Sequence, residues 1–172
     1  MKTFYRSLLP IGWILFLFVG CSPEPASKIV EPASTYFPIN IGEKTTYLQL
    51  ALNEAESRQG LMSRTSMEVD HGMIFVFDSP GPRSFWMKNT RIALDIGFFD
   101  PNGKLLEIHE LYPFDETAVP SYSRNVLYAV EMNQGWFAQN QIQLNSTLDL
   151  EQLREAILQR GVKPNAYLLD TK

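Results

Sequence analysis

The chain has 172 residues, 45% of them hydrophobic and 20% charged, and carries a formal net charge of −4. That length suits one domain with a substantial core and leaves little room for a second. Fifteen basic against nineteen acidic residues give no electrostatic footprint for nucleic acid, so no nucleic-acid partner is expected.

Lys2 and Arg6 precede a short apolar run, Leu8 to Val19, too short for a membrane span and of the length of a signal-peptide core. Residues 1–20 are therefore expected to be a removable export signal. The run ends in Phe18, Val19, Gly20 and Cys21, which resembles the lipobox of bacterial lipoproteins with Phe in the place of the usual Leu. Cys21 is the sole cysteine and has no internal disulfide partner. The expectation is a lipidated Cys21 that anchors the protein to a membrane. A plain signal peptide with a leftover thiol, or an uncleaved anchor, are the alternatives. Three acyl chains, which the resemblance implies, exceed the two-signal threshold for stable anchoring. Ser22 rather than Asp after the cysteine points to the outer membrane, facing the periplasm. Without Lys2 and Arg6, thirteen basic residues would face nineteen acidic ones.

Residues 21–38 hold Pro23, Pro25, Pro32 and Pro38 among Ser, Glu and Ala, and read as a semi-extended tether reaching roughly 50 Å. Residues 39–148 read as a globular β domain and 149–172 as a helix with a tail. From Thr45, Leu48, Leu50 and Leu52 alternate with Tyr47, Gln49 and Ala51, which predicts a half-buried strand. Asn53 with Glu56 three residues on, and Gly60 after them, predict a short helix over Ala55–Gln59. The apolar run Gly72 to Phe77 predicts a buried central strand. Further strands are expected at Arg83–Asn89, Ile92–Phe99, Lys104–Leu111, Val126–Met132 and Gln141–Leu144. A helical turn is expected near Gln134–Gln139. Leu150, Leu153, Ile157 and Leu158, with Asp149 before them and Gly161 after, predict an amphipathic helix over Leu150–Gln159. The fold expected is mainly β (α+β), a small twisted sheet or barrel-like domain with short helices and a C-terminal amphipathic helix.

Five blocks carry a family resemblance: RQGLMSR (Arg58 to Arg64), GMIFVF (Gly72 to Phe77), FWMKNT (Phe85 to Thr90), LDIGFFDPNG (Leu94 to Gly103) and VEMNQGW (Val130 to Trp136). In this order and spacing the chain resembles the family catalogued as domain of unknown function 192, found in many bacteria and archaea. The resemblance spans roughly Tyr47 to Leu144. It implies a compact, mostly β domain and brings no catalytic set with it.

Candidate site residues come from chemistry that a core strand does not need. Period-2 geometry places Phe85, Met87 and Asn89 on one strand face and Trp86, Lys88 and Thr90 on the other. Trp86 beside Lys88 suits stacking on a flat ligand with a charged hydrogen bond, or else an amphipathic Trp covering the sheet while Lys88 reaches water. Asp95 lies between Ala93 and Gly97, whose small size predicts a niche, and Glu131 has Ala129 two residues before it. Buried carboxylates must be paired or titrate high. With Lys88 and Arg64 as basic partners, Asp95 and Glu131 suit either acid–base work of the glycosidase kind or a structural ion-pair network. Pro101, Asn102 and Gly103 predict a three-residue hairpin loop that sets Asp95 opposite His109 and raises the His pKa.

Two histidines, without an H-x-x-x-H spacing or a second cysteine, predict no metal site, and no G-x-S-x-G or glycine-rich phosphate loop is present. No cofactor is expected. Met62, Met67, Met73, Met87 and Met132 suit core filling better than copper handling. The leading expectation is a lipid-anchored envelope module that uses Trp86, Lys88, Asn89, Asp95 and Glu131 to bind a small polar or glycan-like ligand or a protein partner. The alternatives are an envelope hydrolase using Asp95 and Glu131 on glycan or peptide, and a structural accessory subunit of an envelope complex.

Overall fold

The computed structural model describes Met1 and residues 30–167, so Cys21, the signal-like run and most of the expected tether lie outside the described residues. The tether's last residues belong to the domain. Glu31 donates its N–H to Gln159 O, Ser34 O accepts from Gln49 Nε2, and the Tyr36 ring packs edge-on against His71.

The first strand comes earlier than the leucine alternation announces. Phe37–Ile41 (β1) turns at Gly42 (φ 59°) and pairs antiparallel with Lys44–Ala51 (β2), burying Phe37, Ile39 and Ile41. A helix over Glu54–Gln59 (α1) follows. Asn53 Oδ1 accepts the Glu56 N–H, Glu56 Oε2 accepts the Leu52 N–H, and Gly60 at φ 47° ends the helix, as its capping residues predict. This helix carries the chain over to His71–Gly81 (β3), which lies parallel to β2.

Ser84–Phe85 (β4) pairs only with Val119–Pro120 (β7). Leu94–Phe99 (β5) and Leu105–Leu111 (β6) form the hairpin, and Val126–Asn133 (β8) inserts between β3 and β5. The main sheet runs β1-β2-β3-β8-β5-β6, mixed and open, with β3 and β8 at its centre. Single bridges at Leu148 to Ile41 and at Thr147 to Lys104 tie the two edges at one end without closing a barrel. Trp136–Gln139 (α2) and Leu150–Gln159 (α3) complete the fold with a 3-10 turn at Pro164–Tyr167. Asp149 Oδ1 accepts the N–H groups of Glu151 and Gln152, which fixes the start of α3 where the sequence places it.

The sheet is covered on both faces, so each carries its own core. Leu48, Leu50, Ile74, Val130 and Met132 pack with Phe137, Leu153 and Ile157 of the helices. Ala51, Met73, Phe75, Ala129, Ile96 and Phe98 pack with Leu61 and Met87, which come from loops. Gly97 belongs to the helix side, where an added Cβ would meet Phe137 Cζ at 2.8 Å. The small residue therefore seats Phe137, and the niche expected beside Asp95 is filled by that ring.

Of two other expected strands, Arg83–Asn89 is cut short to Ser84–Phe85 and Gln141–Leu144 is absent. Beyond Phe85, the Met87 N–H goes to Asp115 O, the Thr90 N–H turns back to Met87 O, and Asn89 is left-handed at φ 55°. The alternation of faces is lost with the ladder: Met87 and Thr90 are buried together, and Trp86, Lys88 and Asn89 are exposed. At Gln141–Leu144, Gln141 is left-handed (φ 57°) and Ile142 N–H closes onto Phe137 O as a turn.

Candidate functional site

Glu131 sits in the middle of the central strand β8, directly opposite Met73 on β3 and Ile96 on β5. Those apolar neighbours and the loops above leave it 5% exposed. Among the described residues none forms an ion pair or side-chain hydrogen bond with it, and burial alone pushes its pKa up to about 8. At neutral pH it is a neutral acid, with one O–H to donate and oxygens that accept.

Above it lies a crevice of about 40 Å³, with Glu131, Phe75, Phe85, Trp86, Thr90, Leu61 and Arg58 among its lining residues. A strand supplies the acid and loops supply the rest. Trp86 is 49% exposed at the rim, with Lys88 Nζ 5.2 Å from its ring centroid. Segments 57–62 and 85–90 contribute most of the lining, and the chain next to them is joined through its backbone: Ser63 N–H donates to Asn89 O at 2.9 Å, and Phe114 N–H to Thr90 O at 3.0 Å. Ser63, Asn89 and Phe114 all have positive φ, at 66°, 55° and 61°. Such conformations cost of order 1–3 kcal/mol each and persist where surrounding structure fixes them. Asn89 does not itself line the crevice; its backbone carbonyl ties the adjoining loop to Ser63.

Beside the crevice, and sharing Gln59, Gly60 and Met62 with it, is a wider hollow of about 560 Å³ that includes Gln49, Met73 and Arg64. Arg64 is engaged there, donating to Tyr36 Oη at 2.7 Å and to Gln49 Oε1. It pairs with neither candidate acid, and nor does Lys88.

Asp95 is elsewhere. In the β5–β8 ladder Asp95 is opposite Met132 and Ile96 is opposite Glu131, so the two carboxyl groups project from opposite faces of the sheet. The expected acid pair does not form. Asp95, 6% exposed, accepts the Gly135 N–H at 2.8 Å and so holds the turn into α2; burial raises its pKa, against that hydrogen bond, and Glu110 adds to the rise. It borders a separate hollow of about 590 Å³ with Glu110 and Phe137.

The expected Asp95–His109 pairing is also absent. The loop is the predicted one, with Gly103 at φ 74° and the Asp100 N–H bonded to Lys104 O, but the register slips by one residue between Phe98 and Phe99. Asp95 then faces Glu110, and His109 faces Ile96. His109 Nε2 meets Glu107 Oε2 at 2.7 Å. Burial would push Glu107 up, but the N–H groups of Ser123 and Tyr122 and the His109 contact hold it below its ordinary value. Trp136 is buried and donates its Nε1–H to Asp70 at 3.0 Å.

Of the residues expected from sequence, Trp86 and Glu131 line one crevice, Lys88 lies over the Trp86 ring, Asn89 is on the same loop outside the lining, and Asp95 is on the other face of the sheet. Thr90, Phe85, Phe75 and Arg58 were not singled out from the sequence. Thr90 carries the one available signal, a polar side chain at the end of FWMKNT that becomes 4% exposed.

The DUF192 family profile, described as uncharacterized ACR, matches residues 37–150. Comparison with curated proteins gives no match. Among solved structures, a candidate transcription regulator from Sinorhizobium meliloti 1021 is similar at 30% identity and TM-score 0.65, over 69% of this chain and 96% of that one. A protein of unknown function from Novosphingobium aromaticivorans DSM 12444 is similar at 32% identity and TM-score 0.64, over 73% of this chain and 94% of that one.

Proposed function

The chain belongs to the DUF192 family, and we propose that this protein is a ligand-binding module of the cell envelope whose ligand sits in the crevice between Trp86 and Glu131. The observation that carries this reading is a carboxyl group 5% exposed, without a side-chain partner among the described residues, at a crevice with an exposed indole on its rim. Burying such a group unpaired costs stability, and a ligand that supplies its missing hydrogen bonds would recover it.

The envelope address rests on the sequence: Lys2 and Arg6, the run from Leu8 to Val19, and the lipobox-like Gly20-Cys21. A lipidated Cys21 would hold the domain at the outer membrane, facing the periplasm. The net charge of −4 disfavours a phosphate backbone as partner.

Binding without turnover is favoured over hydrolysis, because two-carboxylate glycoside cleavage needs both groups flanking one bond. With Asp95 and Glu131 on opposite sheet faces, Glu131 has no second acid in its crevice. The test is titration of the purified full-length protein with peptidoglycan fragments, following tryptophan emission and product release together. Expected is a saturable emission change that disappears in Trp86→Phe, with no product. Product formed by the protein and lost in Glu131→Gln would favour the hydrolase. Neither signal would favour a structural accessory subunit.

A further inference from the structure

We propose that the crevice receives the acetamido group of an N-acetylated sugar, with the sugar ring stacked on the exposed face of Trp86. This inference rests on the reading of the crevice as a ligand site and specifies the ligand's chemistry.

Size comes first. A space of about 40 Å³ is several times the roughly 10–15 Å³ that one water needs, so it admits a group of a few heavy atoms but not a sugar ring. The occupant is therefore a small substituent on something that remains outside. Phe75 and Phe85 line the crevice with aromatic carbon, which suits a methyl group.

Hydrogen-bond complementarity narrows the choice further. A neutral carboxyl offers an O–H donor, and the carbonyl of an acetamido group accepts it while the methyl on the same carbon faces the aromatic wall. The amide is trans, so its N–H points away from Glu131. A hydroxyl leaves the apolar wall uncovered, and an anion would place a second acidic group against a buried acid. Arg58 is the one other titratable side chain lining the crevice, and it is paired with Glu54 on its own helix. From the flanking strands Glu131 meets Met73 and Ile96, and from the rim loop Lys88 lies over the Trp86 ring.

The part outside follows from Trp86. Its exposed indole beside the mouth matches the apolar face of a pyranose ring, a common use of amphipathic aromatics at wet sites.

Calorimetric titration of the full-length protein with the trimer of N-acetylglucosamine and with cellotriose, which carries a 2-hydroxyl in place of the acetamido group, tests this directly. Expected is binding of the acetylated trimer at least about tenfold tighter, since the loss of a hydrogen bond made in an apolar site is costly. Between about pH 6 and about pH 10 the affinity of the unaltered protein should fall by about tenfold or more as the acid loses its donor proton. Glu131→Gln, which keeps a donor and an acceptor, should bind equally at both. Trp86→Ala should weaken both sugars. Equal binding of the two trisaccharides overturns the acetamido assignment and leaves the crevice as a glycan site. An N-acetylated dipeptide that competes as well as the acetylated trimer overturns the sugar assignment. Binding of neither trisaccharide while peptidoglycan fragments bind overturns this inference alone; silence from all of them overturns the ligand-site reading as well.

Discussion

The carboxylate of Asp95 holds the backbone N–H of Gly135 at 2.8 Å, which joins strand β5 to the left-handed residue that opens α2. Its work is structural, at the helix-covered face. Asp95→Ala should lower the free energy of unfolding by about 1–3 kcal/mol, the penalty for a buried donor left without a partner. Asp95→Asn, which still accepts, should cost less. Urea unfolding measures both, and ligand binding at the Trp86 crevice should be unchanged in each.

Glu131 gives the protein a pH dependence of definite sign. Its folded pKa, about 8, lies above the value of 4.5 for the free group, so the folded state holds the proton more tightly. The associated stability is fully present below about pH 4.5 and is lost as pH rises through about 8, a total on the order of 5 kcal/mol. Melting temperature should therefore decline across that window. Glu131→Gln should flatten the decline and be the more stable protein at alkaline pH.

Glu107 works in the opposite direction. Burial opposes its ionisation, but the N–H groups of Ser123 and Tyr122, with His109, hold its pKa below 4.5. Its contribution is present above that value and is lost as pH falls through the lowered folded pKa. Glu107→Gln should cost about 1–3 kcal/mol at neutral pH and progressively less in acid. Chemical unfolding at a series of pH values would record the convergence. The 121–124 loop, no longer held by a carboxylate, should also become easier to cut by limited proteolysis.

Gly97→Ala tests the seat of Phe137. The new methyl would stand 2.8 Å from Phe137 Cζ, and that ring is 1% exposed. Overpacking of this kind costs about 1–3 kcal/mol. A lowered urea midpoint with an unchanged slope is the expected signature.

Elements with strong local chemistry are legible in the sequence. Asn53, Glu56 and Gly60 mark α1, Asp149 and Gly161 bracket α3, and GMIFVF forms the heart of the central strand. What the sequence hides is decided at a distance. β1 follows a proline-rich stretch, and Ile39 and Ile41 find their place only because β2 folds back over them. The run from Arg83 to Asn89 has strand-forming residues, yet the Met87 N–H is taken by Asp115 O and the Met87 carbonyl by the Thr90 N–H in a turn. A one-residue slip at Phe98/Phe99, invisible in the hydrophobic pattern, separates Asp95 from His109. Trp86 and Glu131 could each be singled out as chemically unusual. Their meeting depends on loops whose left-handed Ser63, Asn89 and Phe114 carry no glycine to announce them.

The position of β8 between β3 and β5 also bears on how the chain acquires its structure. The β1–β2 and β5–β6 hairpins are local and can close within microseconds, as can the α1 turn. The centre of the sheet cannot, because Gly72 pairs with Met132 and every residue between them must be in hand before that ladder forms. Until then β3 exposes a continuous apolar edge, Met73 to Val76, next to an incomplete sheet. A polypeptide emerging from its N-terminus onward therefore cannot complete the sheet until Val126–Asn133 is available, since that strand alone joins the β5–β6 hairpin to β3.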